Sequence, residues 1–240
     1  MSSRAIGRTV GALILVAYVA YIAGGAMVES AARDLSDVVA NQTQLSAGAL
    51  LMLVNSAAVV AIGVLVFPVL KPHHEPSAYA YLVCRAIEGT MLAVGILGLL
   101  LLVPLGQEHA GVGAADAVFL AQEANRYAYQ IGMFSLGLGS LLFCRALFRS
   151  RLVPGFMAVW GLVGYAVFLA GSMLEVLGYG VSLALSVPGG LFEIALAVLL
   201  IAKGFATGRR QLHQGPTTTS LDLAQSPAEP VGVASTPEEG

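Results

Sequence analysis

Between Thr9 and Phe205 the chain is built from six long apolar runs: Thr9 to Val28, Ala47 to Leu70, Tyr79 to Pro104, Tyr127 to Phe148, Phe156 to Gly178 and Val187 to Phe205. Each approaches the about 20 residues that a helix rising about 1.5 Å per residue needs to cross roughly 30 Å of hydrocarbon. Strands of a membrane barrel would alternate apolar and polar positions over shorter segments, and these runs are too long and too uniformly apolar for that. The third run carries Arg85 and Glu88, but Gly89 to Val103 is uninterrupted, so it counts as a span. The expected fold is all-α: an integral membrane bundle of six transmembrane helices over residues 1–207. Residues 208–240, rich in Pro, Thr, Ser and Gln, are expected to be a disordered cytoplasmic tail.

Composition closes off the alternatives. Hydrophobic residues make up 57% of the chain and charged residues 11%, against about 45–50% and about 25% in soluble proteins. Six of the charged groups fall in the last 33 residues, which leaves the remainder with fewer than one charge in ten positions. A water-soluble surface cannot be made from that, so a soluble globule, a secreted disulfide scaffold and a nucleic-acid binder are excluded.

Basic residues near span ends are retained on the cytoplasmic side. Arg4, Arg8, Lys71, Arg145, Arg149, Arg151, Lys203, Arg209 and Arg210 all fall on one side of the expected topology. The other side has Arg33, with Arg126 at a span mouth, among Glu29, Asp34, Asp37, Glu108, Asp116 and Glu123. Both termini are therefore expected in the cytoplasm and the chain in the cytoplasmic (inner) membrane. The first apolar run is longer than the about 7 to 15 residues of a signal-peptide core and is expected to be retained. Asp34 to Thr43 and Ala114 to Asn125 have acidic starts and apolar periodicity, so each is expected to form a short external helix, the second continuing into span four. Lys71-Pro72-His73-His74-Glu75-Pro76 is expected to be a tight turn between helices.

In lipid, helices pack through small residues that let backbones approach, so glycine stripes mark inner faces. The stripes are Gly11, Ile14, Tyr18, Tyr21 and Gly25 in span one, Cys84, Glu88, Met91, Gly95 and Gly98 in span three, and Gly161, Gly164, Phe168, Gly171, Glu175 and Gly178 in span five. Span six shows Gly190, Glu193, Ala197 and Gly204; span four supplies Gln130, Gly132, Ser135 and Gly139, and span two Asn55. Glu88 and Glu193 thus point inward, and by helical rise the two share a level to within about 5 Å.

Several segments resemble a family of bacterial multi-pass membrane proteins, domain of unknown function 4386. They are Cys84-Arg85-Ala86-Ile87-Glu88, the run from Tyr127 to Gly132 leading to Gly137, the run from Phe148 to Pro154, and Pro188 to Gly204 with Glu193 and Lys203. The resemblance covers about residues 8–205. It implies a six-helix fold in the cytoplasmic membrane and no known activity. Relatives often have His where this chain has Arg126, so a role that needs that imidazole does not carry over.

Charges within a span cost about 2.5 to 3.5 kcal/mol each on insertion scales, so they are not placed idly. Arg85 and Glu88, three residues apart, can form a clasp on one helix face or anchor a ligand. If Arg85 takes Glu88 and Arg126 takes Glu175, Glu193 is left without a cation and is expected to carry a proton. That proton is either exchanged in step with a ligand or partner, or held permanently by a neutral Glu193 hydrogen-bonded to Gln130, Tyr129 or a backbone carbonyl. Cys84 and Cys144 read as packing residues, and His73 and His74 in an exposed turn are a weak metal motif. No His lies within a span, and no nucleophile, base or metal constellation is present, so neither an enzyme nor a cofactor is expected. The candidate ligand or proton site comprises Glu193, Glu88, Arg85, Gln130, Glu175 and Arg126. Beyond the lipid bilayer, the expected partner is a small polar, cationic or lipid-like ligand held by a carrier-like bundle. The alternative is a non-catalytic regulatory or partner-binding membrane protein.

Overall fold

The computed structural model describes residues 2–108 and 114–206, which fall within one compact unit; the expected tail at 208–240 lies outside the described residues. The chain runs as α1 (Ser3–Ala31), α2 (Leu35–Ala40), α3 (Gln42–Leu70), α4 (Glu75–Leu100), α5 (Leu102–Glu108), α6 (Ala114–Ser150), α7 (Gly155–Val176) and α8 (Ser182–Lys203). Among the described residues, six helical stretches are long and apolar enough to cross a membrane: α1, α3, α4 with α5, α6, α7 and α8. The chain is all-helical and multi-pass. Val19, Ile22, Leu50, Val64, Phe156 and Val163 stand exposed on its outside, as a lipid-facing surface requires.

The helix ends follow local chemistry. Ser2 caps α1 by accepting from the Ala5 N–H at 3.2 Å. Asp34 caps α2, accepting from the Ser36 hydroxyl at 2.6 Å and the Asp37 N–H at 2.8 Å. The Ser36 hydroxyl first, and the Asp37 amide second, hold that exposed carboxyl below its usual range. Pro72 stops α3 after Leu70, and α4 restarts at Glu75 with the His74 ring accepting from the Ser77 N–H at 3.2 Å. His74 is thus a cap. The second external helix is continuous with span four, so α6 runs unbroken from Ala114. Span three, expected to be one helix, is interrupted at Leu101 and resumes as α5.

The six spanning helices form a closed ring in which α1 packs on α3, α3 on α4, α4 on α6, α6 on α7, α7 on α8 and α8 back on α1. We call the end holding Ser3, the α3–α4 turn and Lys203 the basic end, and the opposite end the acidic end. At the acidic end α2 buries Leu35 and Val38 in a cluster with Leu45, Leu99 and Leu102. Two stripe positions differ from the sequence pattern. In α1 it is Gly24, not Gly25, that meets α3: a Cβ on Gly24 would lie 2.7 Å from the Gly48 carbonyl oxygen, whereas Gly25 has open space around it. Gly178 leaves the packed face of α7. It has φ +91° in the turn after the helix, where its N–H bonds the Glu175 carbonyl at 3.0 Å, a glycine C-terminal stop rather than a packing contact.

Candidate functional site

At the middle of the ring lies a cavity of about 410 Å³ bounded by all six spanning helices. Three charged residues face it: Arg85 and Glu88 from α4 and Glu193 from α8. Their placement follows from close helix approaches. Gly63 on α3 leaves room for the stem of Arg85, since a Cβ there would lie 2.9 Å from the Arg85 Cβ. Gly89 does the same toward the Ser56 carbonyl, also at 2.9 Å. With α3 and α4 so close, the Arg85 Nε donates to the Val59 carbonyl at 3.2 Å. The Arg85 Nη1 lies 3.0 Å from a Glu88 carboxylate oxygen, and both side chains are nearly fully buried. A charge pair this deep is held by geometry, because each partner alone would be a stranded ion in hydrocarbon.

Glu193 is half-buried and has a different set of partners. The Tyr18 hydroxyl of α1 donates to one carboxylate oxygen at 2.8 Å, and the Tyr165 hydroxyl of α7 donates to the other. Gly161 and Gly164 let α7 press against Phe192 and Gly189 of α8, which brings Tyr165 to Glu193. Gly11 lets α1 meet the Ala197 carbonyl and Ile201, which sets Tyr18 at the same level. Tyr21 and Tyr129 add a stacked pair to the wall, with ring centroids 5.6 Å apart. Among the described residues no basic nitrogen lies within ion-pair distance of Glu193.

The remaining candidates lie elsewhere. Arg126 pairs with Glu123 one turn back on α6 at 2.6 Å and with Glu175 of α7 at 3.6 Å, near the acidic end. Glu123 is the closer partner, one that the count of in-span charges passed over. Gln130 is buried on α6 but is not part of the cavity wall, and the partners of Glu193 are two phenols rather than Gln130 or Tyr129. Asn55 of α3 does line the cavity. Cys84 and Cys144 are free thiols that fill space against Gly139 and Gly161.

Tyr165 escaped the sequence reading although its signal was present. It lies four residues after Gly161 and three before Phe168, on the same helix face as both.

The family profile described as "Domain of unknown function (DUF4386)" matches residues 9–204. The chain belongs to this family. In this DUF4386 chain the match extends from the start of the first span to the last residue before Phe205, so it takes in every residue of the cavity wall. No curated protein and no solved structure matches it.

Proposed function

We propose that this DUF4386 chain is a ligand-binding, carrier-like membrane bundle whose central cavity takes a small polar or cationic solute at Glu193. One observation carries this reading: a cavity of about 410 Å³ has a carboxylate in its wall whose partners are two tyrosine hydroxyls and no cation. That size falls within the about 300 to 1,000 Å³ of small-molecule sites. Arg85 and Glu88 neutralise each other, so the cavity carries a net negative charge when Glu193 is ionised. Two phenol hydroxyls hold its two oxygens in place at the cavity wall. The surrounding tyrosine rings add faces on which a cation is attracted.

The test is a thermal-stability screen of the purified protein against amines, polar metabolites and lipids, repeated on Glu193→Gln. The variant is expected to fold, because the amide keeps the shape of the acid, and to lose stabilisation by any ligand that raises the melting temperature of the native chain. A screen in which no compound stabilises the native chain more than the variant overturns the reading and favours a regulatory membrane protein.

The same proposal puts the bundle in the cytoplasmic membrane with both termini inside, on the strength of the basic residues at one end. Single cysteines replacing Asp37 should be labelled from outside intact cells and those replacing Ser150 should not. Labelling at 150 reverses the orientation.

A further inference from the structure

The cavity has a thin wall on one side. At the basic end α1 and α8 touch backbone to backbone: a Cβ on Gly7 would lie 2.8 Å from the Gly204 Cα, and one on Gly11 would lie 2.5 Å from the Ala197 carbonyl oxygen. Further toward the acidic end the backbones no longer touch, and the contact passes to side chains, the Tyr18 hydroxyl and the Glu193 carboxylate. At Gly190, the position facing Tyr18, a Cβ would meet only the Tyr18 hydroxyl, at 3.4 Å. Each helix meanwhile keeps its other neighbour, α8 lying against α7 where Gly171 meets Leu185 and α1 against α3 where Gly24 meets Gly48. The two helices therefore diverge from a crossing near Gly11 and Ala197.

Residues in the gap belong to both surfaces. Ile22 of α1 and Val187, Leu191 and Ile194 of α8 line the cavity, yet they are 65, 51, 53 and 40% exposed on the outside of the bundle. Here the wall is a single layer of side chains, with no close backbone contact between α1 and α8 behind it. Among the described residues, no residue of α2, of α5 or of a connecting segment lines the cavity. Its lining reaches Ser186 and Val187 in the first turns of α8, and between α1 and α8 its wall is made of side chains that also face outward.

We propose that the ligand is an amphiphilic amine taken directly from the bilayer through the gap between α1 and α8. This rests on the ligand-binding reading above and narrows it to a substrate class and a route. The ammonium group sits at Glu193 among the rings of Tyr18, Tyr129 and Tyr165, and the alkyl chain runs out past Ile22 and Leu191 into lipid. The chemistry matches at both ends. An ammonium can be brought into a low-dielectric site only against a carboxylate that compensates its lost hydration, and Glu193 is the wall charge with no cation of its own. Ser186 apart, the rim between α1 and α8 is apolar, which favours an alkyl chain over a wholly hydrophilic solute. An alkyl chain loses nothing there, because lipid and rim are equally apolar.

The full chain in phosphatidylcholine nanodiscs provides the test, with n-dodecylammonium, n-dodecanol and methylammonium as probes. Dodecylammonium should bind the native chain, and Glu193→Gln should weaken it by about tenfold or more, equivalent to about 1.4 kcal/mol. Dodecanol, which partitions into lipid without the charge, should bind equally poorly to both proteins. Methylammonium should bind more weakly than dodecylammonium. Ile22→Cys modified with a bulky lipophilic maleimide should slow dodecylammonium binding without lowering the melting temperature, since Ile22 is on the outside. Gly190→Leu also projects into the gap but meets the Tyr18 hydroxyl, so it supports the route only where it agrees with blockage at position 22.

Two results overturn the proposal while the ligand-binding reading survives. In the first, methylammonium binds as well as dodecylammonium and blockage at positions 22 and 190 has no effect, so that access is aqueous. In the second, no amine binds, yet another class of compound stabilises the native chain through Glu193. Equal binding of dodecylammonium and dodecanol would show partition alone and also overturns it. The broader reading falls separately, if no compound in the wide screen depends on Glu193.

Discussion

Two arginine–glutamate pairs in this protein have the same sequence spacing and opposite surroundings. Arg85 and Glu88 are three residues apart on α4, at 3.0 Å, with side chains only 6 and 3% exposed. Glu123 and Arg126 are three residues apart on α6, at 2.6 Å, with side chains 29 and 39% exposed. The shorter contact is the less consequential one. Spacing on a helix decides whether two charges can meet; burial decides what happens when one is removed. At the mouth of α6 a stranded charge finds water or lipid headgroups. Beside the cavity it finds a mostly apolar wall in which the Val59 carbonyl already accepts from Arg85 and two tyrosine hydroxyls already donate to Glu193.

The largest effect is therefore expected at Arg85. Arg85→Ala should destabilise the protein by about 3 to 5 kcal/mol, since Glu88 is left buried without its cation. Replacing both residues by apolar ones should recover much of the loss, because a desolvated pair contributes little once neither charge remains. Thermal denaturation in nanodiscs of the two single variants and the double variant measures this. Additive losses in the double variant would break the comparison, since they would mean that Arg85 and Glu88 act independently.

A smaller effect is expected from the space around Arg85 rather than its charge. Gly63→Ala introduces a Cβ 2.9 Å from the Arg85 Cβ, close to the backbone end of the side chain, where Arg85 has little freedom to yield. Overpacking of this kind costs about 1 to 3 kcal/mol. The comparison is sharpened by making Gly63→Ala in the Arg85→Ala background. There alanine keeps the Cβ and with it the 2.9 Å contact, so the second substitution should add as much as it does alone if the cost is backbone overlap, and much less only if the cost comes from displacing the ion pair.

The same contrast shows what could be read from the chain before its fold was known. Hydropathy alone marked the six spans, because a helix that crosses lipid must be apolar along its whole length. The pairing of Arg85 with Glu88 was visible for a similar reason: it is local, three residues on one helix. Glu193 was found on its glycine stripe, but its partners were not, because Tyr18 is 175 residues away and Tyr165 is 28. Their meeting depends on the axial register of α1 and α7 against α8, set by Gly11 with Ala197 and by Gly164 with Gly189. Stripes show which face is packed, not how far one helix slides along another. Gly24 and Gly25 differ in face by about 100°, and the single stripe drawn through Gly11 missed Gly24 because α1 packs on two neighbours, α8 at Gly11 and α3 at Gly24; the gap between α1 and α8, which depends on where those helices cross, left no mark in either sequence.

The smallest effect should come from the exposed pair, and it tests the comparison from the other side. Arg126→Ala removes the contact to Glu123, the contact to Glu175 and the packing of the guanidinium over the Tyr127 ring at 4.5 Å. Counted as partners, that equals what Arg85 loses in Glu88, the Val59 carbonyl and the Tyr81 ring. Burial separates the two: Arg126 lies at a helix mouth where solvent screens each contact, and exposed pairs of this kind contribute little. The melting temperature of Arg126→Ala should accordingly stay close to that of the native chain, and raising the salt concentration should erase what difference remains. A drop comparable with that of Arg85→Ala would mean that Arg126 ties α6 to α7 through Glu175, and that the acidic end belongs with the cavity among the positions that hold the ring together.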